Sequence, residues 1–446
     1  MKQKFLIILG IIFLSIGFSY GQKDSIKVKF DLSVRYRFEL WDGMNAKNYG
    51  DNSINAIGKL DDKLLYQRII PGVTVDFTKK ITAAAHLQDS RAFGWSLRNS
   101  EYPDLFMVKK AGTTTPYYKM NPGEEFFEIY DFFVEYRKIL PNTTAKLGRQ
   151  KIFYGDNHIF GPGDWGNTGR WTWDALKISW KKDKKTLDIF AGGTKIHDPE
   201  KLSLPFTQTE FWGGGIYGHF PIKKLLYFEP FYALKTQGSA DYIKDQDIFR
   251  NWLGFRAVAP DSSALIWDFT LAKAFGNDNG KTIDAYGLFA KLGYQFRDLW
   301  AKPIISIRES YASGGKKTDS KIRTFEPAFG ASDKYYGWMN IMQWSNLDDR
   351  EFVLELFPVK KMWVEIKYNW FYIPVPDDVK VLNTMILQDG KHHLGDEFNT
   401  FIRWQAFKHW QFVAVFGYFW PKEIKNINNK PPENASWMAV QVLFTI

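Results

Sequence analysis

The chain has 446 residues, a formal net charge of +10, 18 tryptophans and no cysteine. The lack of cysteine excludes disulfides and thiolate metal sites, and the positive charge favours anionic partners without locating them. Beyond the N-terminus no run is apolar enough for a membrane-spanning helix, since charged residues make up 24% and the mean hydropathy is −0.33. Aromatic residues nonetheless reach 17%. Outer-membrane β-barrels combine these properties, because only alternate residues of each strand face lipid.

The N-terminus predicts a secretory signal peptide over residues 1–21. Lys2 and Lys4 precede an apolar run at 5–18, and small residues follow at the cleavage site. The alternative, a short membrane anchor, would need closer to about 20 apolar residues. We therefore expect a mature chain that forms one outer-membrane barrel domain over 22–446, with no plug domain before its first strand.

The first predicted strand, 26–40, alternates apolar and polar residues almost without fault. Successive side chains of a strand point to opposite faces, so the apolar set can meet lipid while the charged set faces a water-filled lumen. The inward set predicted here includes Lys27, Lys29, Arg35 and Arg37.

Seventeen further segments show a two-residue period or are rich in aromatic residues. With the first strand they are 26–40, 64–78, 81–91, 127–138, 143–153, 172–181, 186–195, 211–220, 225–235, 249–258, 264–274, 284–295, 303–312, 350–357, 361–371, 397–404, 410–420 and 436–446. Short connectors alternate with long ones, among them 92–126, 154–171, 275–283 and 313–349. Short periplasmic turns and long extracellular loops are typical of outer-membrane barrels.

These patterns predict an all-β fold: a closed antiparallel transmembrane β-barrel of about 18 strands. A count of sixteen remains an alternative, and a soluble β-sandwich or propeller would show neither this alternation nor strands this long. The aromatic terminal segment 437–446 suits pairing with the first strand, which leaves no open edge in the membrane.

Several segments carry a resemblance to a known family, and the most specific of them lie between residues 147 and 178. The segments are RYRFE at 35–39, QDSRAFG at 88–94, LGRQKIFYGD at 147–156, DWGNTGRWTWDALKI at 164–178, FEPAFG at 325–330, GDEFNTFIRW at 395–404 and VFGYFWP at 415–421. Together they resemble the alginate-export porins of Gram-negative outer membranes, in the order of that family.

The resemblance implies a monomeric 18-stranded barrel whose charged lumen conducts an anionic polysaccharide. The residues it assigns to the conduit are Arg35, Arg37, Glu39, Arg68, Asp89, Arg91, Arg149, Asp156, Arg170, Asp174 and Arg403. One departure concerns the eighth periplasmic turn, which plugs the pore in the alginate exporter but is only 405–409 here. A periplasmic gate of that kind is not expected, whereas loop 92–126 is long enough for an external lid.

We therefore expect a passive porin for an anionic solute, an acidic polysaccharide or oligosaccharide being the leading candidate. Arginine suits such a pore because its guanidinium stays charged and binds carboxylates bidentately, while nearby carboxylates limit trapping. The alternatives are an uptake porin for small organic anions and a closed surface-binding or structural barrel. The expected partners are outer-membrane lipid and the solute; neither nucleic acid nor a second subunit is expected.

Other site types have weaker support in the sequence. The glycine-rich segment 161–170 lacks the Lys-Ser/Thr ending of a phosphate-binding loop and is expected to be an extracellular loop near the pore mouth. Asp348, Asp349 and Glu351, and the pair at 377–378, are expected in outer loops, as weak calcium ligands or as a solvated charge cluster. No cofactor, no resident metal and no catalytic activity are expected, because no nucleophile motif accompanies the histidines.

Overall fold

The computed structural model describes residues 26–44, 61–94, 107–109, 116–118, 123–198, 201–240, 245–330, 335–376, 380–381, 385–388, 390–426 and 431–446. The predicted signal peptide lies outside these residues and remains a prediction. No helix of the described part is long and apolar enough to cross a membrane.

Eighteen antiparallel strands form one closed barrel, as predicted. The strands are β1 Lys27–Asp42, β2 Asp62–Asp76, β3 Ile81–Phe93, β4 Glu125–Leu140, β5 Thr143–Lys151, β6 Thr172–Lys182, β7 Lys185–Thr194, β8 Phe211–Ile222, β9 Leu226–Gln237, β10 Ile248–Val258, β11 Leu265–Asp278, β12 Lys281–Gln295, β13 Ile304–Ala312, β14 Leu347–Leu356, β15 Met362–Tyr372, β16 His393–Trp404, β17 Trp410–Pro421 and β18 Ala435–Thr445. Each strand pairs with its neighbour in sequence, and β18 pairs with β1 to close the wall. Closure satisfies the main-chain groups that an open edge would expose to lipid.

The alternation of β1 sets its two faces. Arg35 and Arg37 are buried on the inner face, whereas Tyr36 and Phe38 are 43% and 41% exposed on the outer face. The closing register carries this arrangement onto the last strand, since Arg37 lies opposite Gln441 and Phe38 opposite Val440. The sequence pattern thus decides which side chains meet lipid.

The short connectors lie at one rim of the barrel and the long connectors at the opposite rim. One connector at the long-loop rim is much shorter than predicted. Residues 275–283 are not a long loop: β11 runs to Asp278 and β12 starts at Lys281, so Asn279 and Gly280 alone form the turn. Both have positive φ, 49° and 81°, which is the requirement of a two-residue hairpin turn. The Asn-Gly pair was the signal that should have predicted this turn.

Five very short strands lie within the long connectors. Met107–Lys109 pairs with Pro116–Tyr118, while Lys380–Val381, Met385–Leu387 and Ile424–Asn426 form a three-stranded sheet. Most of loop 92–126 lies outside the described residues, so its action as a lid remains a prediction.

Two long connectors turn inward and fill the barrel interior near the long-loop rim. The first inner loop is 152–171 and the second is 313–346, described except for 331–334. They bond to each other, because Gly161 N donates to Phe329 O at 2.8 Å and Phe329 N donates to Ile159 O at 2.9 Å. Trp165 packs edge-on against Trp338 with ring centroids 5.6 Å apart. Segment 161–170 was expected near the pore mouth, and it lies inside the barrel.

The first inner loop spans the interior from one wall to the other. Asp156 lies 3.5 Å from Arg256 on β10, and Trp165 packs against Trp437 on β18 at 6.3 Å. In a barrel of 18 strands β10 lies opposite β1, the neighbour of β18. The loop therefore crosses the lumen.

Candidate functional site

The inner wall of β1 and β2 carries three arginines. Arg35 and Arg68 are directly opposite each other in the β1–β2 register, and Arg37 is two residues along the inner face from Arg35. All three side chains are at least nine-tenths buried. Like charges directly opposite each other in a sheet repel, so the fold must compensate for this arrangement.

Main-chain carbonyls of the first inner loop supply most of that compensation. Arg35 donates to the Asp164, Trp165 and Gly166 carbonyl oxygens at 2.9 to 3.3 Å. Arg68 donates to the Asp164 and Gly166 carbonyls, both at 3.3 Å, and Arg37 donates to the Trp165 carbonyl at 2.6 Å. We call Arg35, Arg37 and Arg68 the inner arginine cluster.

The carboxylate of Asp164 does not join these arginines. It forms an ion pair with Lys151 and is 45% exposed. Burial of the loop tends to raise the pKa of Asp164, but Lys151 and Arg68 have the larger combined effect and lower it. The carboxylate therefore stays ionised, directed to the lysine.

Glu39 is the carboxylate of this wall. It lies 2.7 Å from Arg37 Nε and also accepts the indole N–H groups of Trp41 and Trp437 at 2.8 and 3.0 Å. One carboxylate thus serves one arginine and two indoles, and the cluster keeps an excess of positive charge.

Asp156 anchors the other end of the first inner loop. It lies 2.8 Å from His158 Nδ1 and 3.5 Å from Arg256, which also binds Asp268 bidentately and Glu229 at 2.8 Å. Burial tends to raise the pKa of Asp156, but His158 and Arg256 lower it well below its usual range. The loop is therefore held by an ionised carboxylate.

Arg149 and Asp174, predicted in the conduit, lie on the outer face instead. Arg149, Asp174, Gly193 and Trp212 are cross-strand neighbours on four adjacent strands and therefore share one face of the wall. Trp212 is 41% exposed on the outside, so this is the outer face. Asp174 also shares its face with Leu176, an exposed outer-wall residue two positions along β6. The prediction that these two residues line the lumen is wrong, because β6 turns its odd-numbered side chains inward.

The connector 201–210 covers this pair from outside. Asp174 binds Arg149 bidentately at 2.8 and 2.9 Å, and Glu128 binds it at 3.1 Å. Arg149 donates to the Ser203 carbonyl at 2.6 Å. A Cβ at Gly193 would lie 2.4 Å from the side chain of Thr209, so the connector needs a glycine beneath it. We call Arg149, Asp174 and Glu128 the outer arginine cluster.

Asp89 and Arg91 also face outward, contrary to the prediction. Asp89 lies opposite Ile69, and Arg91 lies opposite Gln67, which accepts a hydrogen bond from the exposed Tyr36. The inner-face residue between them is Ser90. Asp89 and Arg91 pair with each other at 2.7 Å on the outside of the wall.

The two remaining predicted arginines lie at opposite rims. Arg170 ends the first inner loop, binds Glu210 bidentately at 2.6 and 3.0 Å and stacks on Trp171. Arg403 points inward near the short-turn rim, where its guanidinium lies 5.0 Å from the centre of the Trp363 ring and stays exposed. Within the described residues no carboxylate lies within 4 Å of Arg403.

A family model described as alginate export matches residues 27–424. The chain belongs to the alginate export family. No curated protein matches this alginate export protein.

Solved outer-membrane porins share the fold of this alginate export protein. OccAB2 of Acinetobacter baumannii is 11% identical with a TM-score of 0.60, covering 94% of this chain and 98% of its own. OccK2 (OpdF) of Pseudomonas aeruginosa, solved in complex with glucuronate, is 10% identical with a TM-score of 0.56 and the same coverage. The protein is a porin-type channel of the Gram-negative outer membrane.

Sequence reasoning missed several inward charges of this alginate export protein. Arg308 on β13 binds Glu355 at 3.0 Å and Glu365 at 3.3 Å. Arg256 shares the inner face of β10 with the buried Trp252. The two-residue period within each predicted strand was the signal that could have found both arginines.

Lys235 is a further inward cation that the sequence reasoning missed. Four aromatic rings surround its ammonium: Phe329, Trp171, Phe211 and Trp252, with centroids 4.6 to 5.5 Å away. Each ring face attracts a cation, so Lys235 ties both inner loops to the wall.

The possible calcium ligands were misplaced. Asp348, Asp349 and Glu351 belong to β14 rather than to an outer loop, and they divide between its faces. Asp349 is buried inside and accepts from Asn369 at 2.9 Å, whereas Asp348 pairs with Arg350 outside. Residues 377–378 lie outside the described part. Among the described residues no group of three or more histidine or carboxylate side chains is arranged so that it could hold a metal ion.

Proposed function

We propose that this porin passively conducts an anionic solute, an acidic polysaccharide or oligosaccharide, along an arginine- and lysine-lined lumen. The observation that carries the proposal is the inner arginine cluster, in which Arg35 and Arg68 lie directly opposite each other and, among the described residues, only Arg37 forms an ion pair within 4 Å, with Glu39. Low-dielectric walls strengthen the field of such a cluster and attract anions.

A second inward cation supports the same solute. Arg403 is exposed near the short-turn rim and stacked on Trp363. A fixed guanidinium beside an indole presents both a bidentate anion donor and an apolar ring, which together suit a carboxylated sugar. Arg35 and Arg403 would then act at successive depths of one path.

Inward ion pairs moderate the attraction. Arg256 and Arg308 each bind at least two carboxylates, so they add little net charge. A conducted ion must leave as well as enter, and a lumen of unpaired cations would trap a polyanion. Mixed charge is therefore consistent with conduction.

The relatives agree with an acidic saccharide. The family carries the description alginate export, and OccK2 (OpdF), a protein of similar fold, was solved with glucuronate, a sugar carboxylate. Those facts concern the family and that protein, and they motivate the choice of probe for this chain.

We further propose that the protein works as a monomer in outer-membrane lipid. β18 closes on β1 of the same chain, so one copy encloses a whole lumen. Cross-linking in native outer membranes is expected to yield one predominant species of single-chain mass, and a discrete ladder of larger species would contradict this.

A closed surface-binding or structural barrel is the second candidate, and the two inner loops favour it because they fill the interior near the long-loop rim. An uptake porin for small organic anions is the third. The three candidates differ in conductance and in the solutes that enter the channel.

Planar-bilayer recording separates these candidates. In a salt gradient the reversal potential is expected to indicate anion preference, and oligogalacturonate is expected to block the current while a neutral malto-oligosaccharide of equal length does not. A lack of conductance would favour the closed barrel. Conductance of small organic anions without block by oligogalacturonate would favour the uptake porin, and cation preference would overturn the proposal.

A further inference from the structure

Two members of the inner arginine cluster, Arg35 and Arg68, are bonded to neutral acceptors, which are weaker partners than a carboxylate. Arg35 and Arg68 donate to main-chain carbonyls and to the amide oxygen of Asn167, all of which are neutral. Within the described residues neither guanidinium has a carboxylate oxygen within 4 Å. Guanidinium binds carboxylate with greater strength, because charge attraction adds to two parallel hydrogen bonds.

The cluster also retains unused donors. The Nε atoms of Arg35 and Arg68 are buried and have no hydrogen-bond partner. A buried donor without a partner is costly, and a bidentate acceptor would satisfy it. Repulsion between the opposed Arg35 and Arg68 adds to the preference for an anion.

The first inner loop does not deliver its own carboxylate to this position, since Asp164 is paired with Lys151. The carbonyl oxygens of 164–166 instead occupy the space in front of the guanidiniums. We infer that Arg35, Arg37 and Arg68 form an anion site which segment 164–168 covers with its own carbonyls, and which a sugar carboxylate opens by displacing that segment. The inference rests on the proposed function and deepens it.

The covering segment has the features of a displaceable element. Gly163 and Gly169 flank it with φ of 65° and 84°, in a region where glycine moves without steric cost. Asn167 holds it by donating to the carbonyls of Gln67, Arg91 and Gly123 at 2.7 to 3.2 Å. These three hydrogen bonds join neutral groups, while the Asp164–Lys151 ion pair and the packing of Trp165 on Trp338 also hold the segment.

Competition follows from this arrangement. A carboxylate that reaches Arg35 and Arg68 replaces neutral acceptors with a charged one, and the released carbonyls return to water. A neutral sugar lacks this advantage and leaves the segment in place. The solute binds the state in which segment 164–168 is displaced more tightly than the covered state. Solute binding therefore shifts the segment to the displaced state and clears part of the lumen.

A cysteine beneath the segment reports its displacement, and the native chain contains no cysteine to interfere. Ser90 is fully buried on the inner face and donates to the Asn167 carbonyl at 2.9 Å. Ser90→Cys changes one atom and places a thiol under residue 167. Ser310→Cys, equally buried on the inner face of β13, is the matched control away from the segment.

Labelling of Ser90→Cys by a charged thiol reagent is expected to be slow, and to accelerate about tenfold with oligogalacturonate but not with a neutral malto-oligosaccharide. Ser310→Cys is expected to show no such change. Adding Arg35→Gln and Arg68→Gln to Ser90→Cys should abolish the acceleration, because glutamine still donates to carbonyls but has no charge. A folded outer-membrane barrel migrates differently in a denaturing gel before and after heating. If the Ser90→Cys variant lacks this shift, Gln88→Cys serves instead, since Gln88 donates to the Thr168 carbonyl.

Two outcomes overturn the inference. Labelling that oligogalacturonate leaves unchanged, in a channel that bilayer recording finds anion-selective, refutes the displacement while the proposed function stands. Equal acceleration at Ser90→Cys and Ser310→Cys indicates general opening and also refutes it. Loss of the proposed function is seen separately, as cation preference of the wild-type channel.

Discussion

The inner and outer arginine clusters contain the same residue type at nearly the same burial, yet they differ in their partners. Arg35 is 3% exposed and bonded to neutral oxygens, whereas Arg149 is 0% exposed and bonded to two carboxylates. Partner charge, rather than burial, separates a group with attraction left for a solute from one that is fully compensated. The outer cluster therefore holds a connector against the wall, and the inner cluster holds a replaceable loop.

Removing Arg149 should have the largest effect on stability. Arg149→Ala leaves Asp174 and Glu128 buried without their cation, which costs about 3–5 kcal/mol in the free energy of unfolding. Urea unfolding followed by tryptophan fluorescence measures this loss, and Arg149→Ala with Asp174→Ala should recover part of it. Reduced anion selectivity in the folded fraction would contradict the placement of Arg149 outside the lumen.

Neutralising the inner cluster should have the largest effect on selectivity. At an effective dielectric constant of 20, a charge 4 Å from an anion is worth about 4 kcal/mol before screening by salt. Arg35→Gln with Arg68→Gln is therefore expected to lower the anion-to-cation permeability ratio several-fold, while heat-modifiable mobility stays normal. Arg149→Ala is the matched control in the outer arginine cluster. An equal fall of the permeability ratio in the Arg149→Ala channel and in the Arg35→Gln, Arg68→Gln channel would contradict the assignment of the two clusters to opposite faces.

Acid should leave the first inner loop docked until strongly acidic pH. The pKa of Asp156 is lowered in the folded state, so its ionised form stabilises docking at all pH values above its unfolded pKa of about 3.9. That contribution is lost only as the pH falls through the lower folded value. Single-channel conductance should therefore stay constant from about pH 7 to pH 5.

Asp156→Asn provides the comparison for this pH dependence. The variant lacks the carboxylate at every pH, so its loop should be less firmly docked and its conductance altered already at neutral pH. A conductance change of the wild-type channel with a midpoint near pH 6.5 would instead implicate a histidine and contradict the assignment to Asp156.

The outer pair Asp89–Arg91 should give the smallest effect. Arg91 is 41% exposed, and an exposed ion pair contributes about 0–1 kcal/mol. Arg91→Ala is expected to leave both the unfolding free energy and the permeability ratio nearly unchanged. A drop in anion preference comparable with that of the Arg35→Gln, Arg68→Gln channel would indicate that Arg91 lines the lumen.

Regular alternation made the inner cluster predictable. On β1 each odd-numbered residue from Arg35 to Trp41 is buried inside, because a two-residue period has only two phases and the apolar set selects the outer one. The β5 segment around Arg149 has no clear alternation of apolar and polar residues in its sequence. In the structure the burial does not alternate there either, since Gly148, Arg149 and Gln150 are all buried. The family motif supplied a place in the sequence but not a direction for the side chain.

The sequence by itself predicted a closed barrel of about eighteen strands and determined the inward direction of Arg35 and Arg37, because both follow from the two-residue period of the strands. Only the tertiary structure decided that two loops enter the barrel and that a connector covers Arg149 from outside. Both depend on contacts between residues far apart in the chain, such as Trp165 with Trp437. No local pattern specifies such contacts, since the same glycine-rich loop could be solvated above the rim as readily as packed below it.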